Sequence, residues 1–308
     1  MKRHLPALAL ASVAALALAG CGSDPAAAPK AAPVGIQPSQ DVLSGVHKSD
    51  AAAALLPDDV KAAGTIKLGG AVGTPPGAYY PEGKKELAGL DVDLVNGVAA
   101  VLGVKVQRED AAFETILPAL GSGKYDVGTG NFGVTTARLK TVDFVTYIDD
   151  GQGFAVRSDN TALNNVTDLT QLCGLTVGTG AGTTFEATLN AKKDDCAKAG
   201  KKPYDVKVFT ENGAVLTGLQ QGRLDVVMST INGLRYQANQ PTAKIRFLGE
   251  FHRLDVGFAF KKGSTLTPAF QAAVNQLIKD GTYQKILAKW GTADSAITES
   301  QINPPEHP

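Results

Sequence analysis

Leu120-Gly121-Ser122-Gly123-Lys124-Tyr125-Asp126-Val127 returns later in the chain as Leu219-Gln220-Gln221-Gly222-Arg223-Leu224-Asp225-Val226. In both places the pattern L-x-x-G-[KR]-x-D-V closes a helical run and opens an extended one. Ahead of the first copy, Phe113, Ile116, Leu117 and Leu120 fall at i, i+3, i+4 and i+7, one stripe of a helix. A second echo sets Gly153-Phe154-Ala155-Val156 against Gly257-Phe258-Ala259-Phe260. One construction used twice, with a matching pair of extended segments, predicts two similar lobes joined by two crossing strands.

Working outward, Ile66-Lys67-Leu68-Gly69 reads as a strand, and Leu94, Val95, Val98 and Leu102 make one helical face. Val104–Val106 is extended again. This β-α-β-α order implies parallel sheets with crossover helices. The expected class is α/β, each lobe a mostly parallel sheet with helices on both faces.

The 308 residues give room for two domains, and 44% hydrophobic with 19% charged residues is a globular composition. Thirty basic residues balance thirty acidic ones, which leaves no electrostatic footprint for nucleic acid. The four His are not paired at metal-ligand spacing and the three Cys form no C-x-x-C, so neither a metal nor a cofactor is expected. Paired lysines such as Lys84-Lys85 and Lys201-Lys202 lie among polar residues and read as solvated surface.

At the start, Lys2 and Arg3 precede an apolar run, Leu5–Ala19, that falls short of the ~20 residues of a membrane span. The run ends in Leu18-Ala19-Gly20-Cys21, which resembles a bacterial lipobox. The expectation is a signal peptide over 1–20, lipidation of Cys21, and an Ala/Pro-rich tether over 21–54. Export makes a disulfide between Cys173 and Cys196 the favoured state of the two remaining cysteines, with two buried free thiols as the alternative.

Further motifs recur in order: Gly89-Leu90-Asp91-Val92-Asp93-Leu94, Ile116-Leu117-Pro118-Ala119-Leu120, Thr135-Thr136-Ala137-Arg138, Val142-Asp143-Phe144 and Gly182-Thr183-Thr184. The last runs from Asp280-Gly281-Thr282-Tyr283 to Lys289-Trp290-Gly291. Over about 55–291 the chain resembles the family 3 extracellular solute-binding proteins, the receptors of polar amino-acid ABC importers. The resemblance implies a type II periplasmic-binding-protein fold. Lobe I would comprise 55–152 and 255–291, and lobe II 153–254, leaving 292–308 as a C-terminal tail. It also implies a solute held in the cleft between lobes, a permease partner, a monomer, and a location on the outer face of the cytoplasmic membrane.

Arg138 is the first candidate for the site, because a guanidinium fork matches a carboxylate bidentately and keeps its proton. On residues alone, a surface arginine paired with Asp143 is the other option; the resemblance implies a carboxylate clamp. Thr183 and Thr184 follow a glycine-rich turn and open a helix, where free N–H groups suit an anion. That turn is G-x-G-x-G and not the dinucleotide fingerprint G-x-G-x-x-G. Phe113 corresponds to an aromatic that stacks on the solute, with core packing as the alternative. Gly130, Asn131 and Thr230 end the two repeat copies and are expected to face the cleft.

The chain departs from the amino-acid pattern at Ala71, Thr74 and Gly77, where an acid and aromatics are usual, and at Thr230, where an aspartate meets the α-ammonium. Glu186, or else Asp91 or Glu114, is the expected substitute if the solute carries an ammonium. A solute without one is the alternative. Competing functions are a dehydratase on the same fold, which needs a general acid or base in the cleft, and a surface sensor domain. No motif of either is present in the sequence, and no catalysis is expected.

Overall fold

Two strands of unusual length, Val142–Arg157 and Ile245–Lys261, run antiparallel to each other and carry the architecture. The computed structural model describes residues 36–307. The expected signal peptide, Cys21 and the first part of the tether lie outside the described residues.

In chain order the elements are α1 (Asp50–Ala54), α2 (Asp58–Ala63), β1 (Thr65–Gly70), α3 (Leu90–Leu102), β2 (Lys105–Asp110), α4 (Phe113–Gly121), β3 (Val127–Gly133) and β4 (Val142–Arg157). There follow β5 (Thr176–Gly180), α5 (Thr184–Lys192), α6 (Asp195–Lys198), β6 (Asp205–Phe209), α7 (Asn212–Gln220), β7 (Val226–Thr230) and α8 (Ile231–Ala238). The chain closes with β8 (Ile245–Lys261), α9 (Thr267–Lys279) and α10 (Thr282–Lys289). Among the described residues the strands form one sheet in the order β2-β1-β3-β8-β4-β7-β5-β6.

Each lobe owns one end of that sheet. In lobe I, β2, β1 and β3 are parallel, and β3 pairs with the C-terminal half of β8. In lobe II, β6, β5 and β7 are parallel, and β7 pairs with the C-terminal half of β4. The two sequence echoes are thereby paired with each other. Ala259 of the second GFA segment stands opposite Gly128, just after the first repeat, and Ala155 of the first GFA segment stands opposite Val227, just after the second.

The repeat itself has a physical role. Asp126 exchanges bonds with the Lys67 backbone, accepting from its N–H at 2.8 Å and donating to its carbonyl at 2.9 Å. Asp225 does the same with Thr176, at the same two distances. The next residues then pair in register, Leu68 with Val127 and Val177 with Val226. The glycine of each copy ends the preceding helix in the left-handed region, at φ 77° for Gly123 and 71° for Gly222, where a Cβ is disfavoured.

Alternate side chains of each strand enter different cores, as a pleat requires. In lobe I, Val145 and Tyr147 join α3, α9 and α10 on one face, while Val142 and Phe144 join Ile116, Leu120 and Phe132 on the other. In lobe II, Phe154 and Val156 pack with Leu189, Cys196 and Tyr204, and Ala155 packs with Val215, Leu219 and Leu234. The Cys173–Cys196 disulfide is formed, with Cα atoms 5.6 Å apart.

Two terminal segments differ from expectation. Residues 36–54, assigned above to the tether, are part of lobe I. The Gln37 N–H donates to the Lys289 carbonyl at 2.8 Å, the Ser49 N–H donates to the Val101 carbonyl at 2.8 Å, and Val42 and Ala52 are buried in the core. Alanine-rich composition hid a few well-placed apolar anchors. The tail has no α-helix, yet it is packed. Ile302 bridges Val145, the Ser300 hydroxyl donates to the Thr146 carbonyl at 2.6 Å, and the Asn303 side chain accepts from the Phe144 N–H at 2.7 Å. At its start, Ser295 and Asn232 of α8 exchange hydrogen bonds, so the tail touches both lobes.

Candidate functional site

The strand ends of both lobes meet around a cavity of about 150 Å³, the place where open α/β sheets hold ligands. Lobe I contributes the segment after β1 (Ala71 to Thr74), Phe113 at the start of α4, Gly130 and Asn131 of β3, and Arg138. Lobe II contributes the end of β5, the first residues of α5, Phe209 and Thr210 after β6, and the turn from Ser229 to Gly233.

Arg138 opens the 3-10 turn Arg138–Lys140. Its Nη1 donates to the Gly133 carbonyl at 3.0 Å and its Nη2 donates to the Gly182 carbonyl, across the cleft, at 3.0 Å. The guanidinium carbon lies 5.8 Å from the centre of the Phe113 ring and 5.7 Å from that of Phe132, and these two rings stack at 4.6 Å. Burial pulls its pKa down to about 10, still cationic at neutral pH. Two of the five guanidinium N–H groups are thus committed, and the rest are free to hold an anion. The surface pairing with Asp143 does not occur. That carboxylate accepts from Lys262 Nζ at 2.8 Å, from the Gly263 N–H at 2.6 Å and from Asn303 Nδ2 at 2.9 Å.

Thr183 is the N-cap of α5. Its hydroxyl accepts from the Glu186 N–H at 3.2 Å and donates to the Gly180 carbonyl at 2.7 Å. The Glu186 carboxylate accepts from the Gly182 N–H, one residue before the cap, at 2.8 Å and so braces the same helix start. Thr183 and Thr184 line the cavity; Glu186 does not. The structure therefore gives Glu186 to the helix start and brings together the other seven predicted residues, Phe113, Gly130, Asn131, Arg138, Thr183, Thr184 and Thr230. Thr230 caps α8, its hydroxyl oxygen accepting from the Gly233 N–H at 3.1 Å.

Of the other acids considered, Asp91 lines the cavity but is 4% exposed and accepts from the Tyr147 hydroxyl at 3.0 Å. Burial raises its pKa above the usual carboxylate range. Glu114 stays outside the lining, with one carboxylate oxygen buried and unpartnered. Tyr80 is turned to Asp110 and Tyr79 lies edge-on to Trp290, so neither supplies the missing cleft aromatic.

Sequence reasoning passed over Asp150. It sits on β4 at 0% exposure and accepts from Asn131 Nδ2 of lobe I at 2.7 Å and from the Asn232 N–H of lobe II at 3.1 Å. Desolvation pushes its pKa up to about 6. Two adjacent acids, Asp149-Asp150, midway along a mostly apolar strand were the available signal. Phe209, Thr210 and Asn232 carried none.

A family model described as bacterial extracellular solute-binding proteins, family 3, matches residues 66–293. The chain belongs to that family. Among curated relatives, an arginine-binding protein, ArgT, from Corynebacterium glutamicum is 28% identical over 252 residues, 81% of this chain and 82% of the relative. The L-cystine-binding protein TcyJ of Escherichia coli K12 is 28% identical over 238 residues, 76% and 85% respectively. A solved ancestral arginine-binding protein bound to arginine superposes with TM-score 0.67 at 33% identity, covering 74% of this chain and 98% of that one. An ancestral amino acid-binding protein described as a precursor of cyclohexadienyl dehydratase gives TM-score 0.66 at 28% identity, covering 76% and 98%. The two-lobed solute-binding fold and the solute-binding role follow from this membership.

Proposed function

We propose that the chain captures a small carboxylate-bearing solute, an amino acid or a close relative of one, and delivers it to the permease of an ABC importer. The observation that carries this reading is Arg138. It is a half-buried cation on the cavity wall, engaged by two carbonyls and by no ion pair among the described residues. A partly buried guanidinium without a counter-charge is costly, and a solute carboxylate would supply one. The amino-acid-binding names of the relatives support the same solute class.

Phe113 would cover the solute from lobe I, with Gly130 and Asn131 at the end of β3. Thr183, Thr184 and Thr230 would meet it from the starts of α5 and α8. Binding without catalysis is supported by the relatives' names as binding proteins.

Among the described residues no helix is long and apolar enough to cross a membrane. We place the protein, as a monomer, on the outer face of the cytoplasmic membrane, held by lipid on Cys21. Calorimetric titration with single amino acids and their 2-hydroxy and 2-oxo acids tests the binding role. Arg138→Ala should abolish the response, and retained affinity would overturn the clamp. Membrane association lost in Cys21→Ser would support the anchor; association kept would refute it.

A further inference from the structure

We infer that the cavity selects a compact carboxylate whose side chain carries no positive charge, and that it turns basic solutes away. The inference rests on the proposed function above, because Arg138 is taken to hold the carboxylate.

The charges around the cavity are unequal. Arg138 is a free cation, and α5 and α8 both begin at the lining, with Thr183 and Thr230 as their caps. The start of α8 adds roughly half a positive charge, while that of α5 is met by the Glu186 carboxylate on the Gly182 N–H. Thr230 adds a further donor, because its oxygen already accepts from the Gly233 N–H and leaves the hydroxyl proton to be given away. Against these stands one lining carboxylate, Asp91. It is buried, hydrogen-bonded by the Tyr147 hydroxyl, and faces the charge of Arg108. Asp150, behind the wall, has both oxygens occupied by Asn131 and Asn232. A second ammonium or guanidinium would be buried facing like charge without a carboxylate of its own.

Size and surface agree with the charge. Lobe II offers Phe209, Val215, Leu216 and Leu234 to the lining, which suits a short apolar or weakly polar side chain. A cavity of about 150 Å³ has the size that elsewhere accepts benzene, on the order of six to ten non-hydrogen atoms.

The test is calorimetric titration of the purified protein with L-alanine, L-valine, L-threonine and their 2-hydroxy acids, against L-arginine and L-lysine. At least one solute with an uncharged side chain should bind ten times more tightly than either base. Arginine or lysine matching or exceeding the best uncharged solute overturns the inference, as does a panel in which no uncharged solute binds. If that basic binding is lost in Arg138→Ala, the clamp stands and only the selection falls. If binding of every solute survives both Arg138→Ala and Arg138→Gln, the clamp falls as well. Thr230→Asp keeps a good helix cap while adding an acid to the wall where the resemblance puts the partner of an α-ammonium, and should improve L-valine binding at least tenfold relative to its 2-hydroxy acid. An unchanged ratio overturns the charge argument.

Discussion

Arg138 of lobe I donates to the Gly182 carbonyl of lobe II at 3.0 Å, so the side chain proposed to hold the solute also spans the cleft. The Gly182 N–H is fixed in turn by the Glu186 carboxylate. Solute capture and lobe contact therefore meet at one planar group. Arg138→Lys retains the charge but loses the fork, and it cannot serve a carboxylate and two carbonyls together. Solute affinity should fall by about a hundredfold or more, with the folded state weakened by only ~1–2 kcal/mol for the two lost bonds. Calorimetry and urea unfolding on the same preparation separate the two effects.

Asp150 gives the protein a pH signature. Its pKa is about 6 in the folded state against the usual 3.8 of an aspartate, so the native state binds this proton more tightly than the unfolded chain. Its contribution is therefore fully present below about pH 4 and is lost as pH rises through about 6. The difference amounts to roughly 3 kcal/mol. Asp150→Asn removes the titration. Relative to the parent, the variant should be favoured by on the order of 2–3 kcal/mol more at pH 7.5 than at pH 4. Urea midpoints of both proteins at the two pH values measure this directly, and a pH-independent difference would reject it.

The equivalence of Asp126 and Asp225 predicts equal effects in the two lobes. Each carboxylate accepts one backbone N–H at 2.8 Å near the start of a first strand. Removing either as Asp→Ala should cost about 1–2 kcal/mol. Protection against amide exchange should drop at Lys67 in one variant and at Thr176 in the other, each without the other.

Both repeat copies were legible because the geometry they encode is local: a helix end, a left-handed glycine and a carboxylate immediately before the first buried strand position. The crossing strands were legible as the GFA echoes for the same reason. Arg138, Thr183 and Thr230 could be placed in the cleft because they lie at or shortly after strand ends. Asp150 could not, since its partners, Asn131 and Asn232, are brought to it by β3 and α8 from distant parts of the sequence. For Glu186 the charge suggests a counter-ion, while the structure sets its carboxylate on the Gly182 N–H at the start of α5 and outside the cavity lining. The ordered start of lobe I and the packed tail were missed because each relies on long-range backbone bonds, such as Gln37 to Lys289, that leave no periodicity behind.

That assignment of Glu186 makes a prediction that separates cap from ligand. Glu186→Ala should weaken the protein by about 1 kcal/mol through loss of its bond to the Gly182 N–H. Solute affinity should stay within about threefold, a change of less than 1 kcal/mol, for amino acids and their deaminated analogues alike. A selective loss of amino-acid binding would return Glu186 to the solute and assign it the ammonium.

The disulfide offers a control in the opposite corner of lobe II. Cys173 and Cys196 are separated by 23 residues, and closing a loop of that length restricts the unfolded chain by about 3 kcal/mol. Cys173 follows the short turn Leu169–Leu172, and Cys196 lies in α6 with its side chain in the core around Leu189 and Tyr204. Neither cysteine lines the cavity. The double substitution Cys173→Ser with Cys196→Ser should therefore lower unfolding stability by about 3 kcal/mol while leaving the rank order of solutes unchanged. Thermal midpoints measured with and without the best solute check both halves. A variant whose solute preference changed would mean that lobe II transmits strain from α6 to the start of α5, which its separate hydrogen bonds to Gly180 and Gly182 argue against.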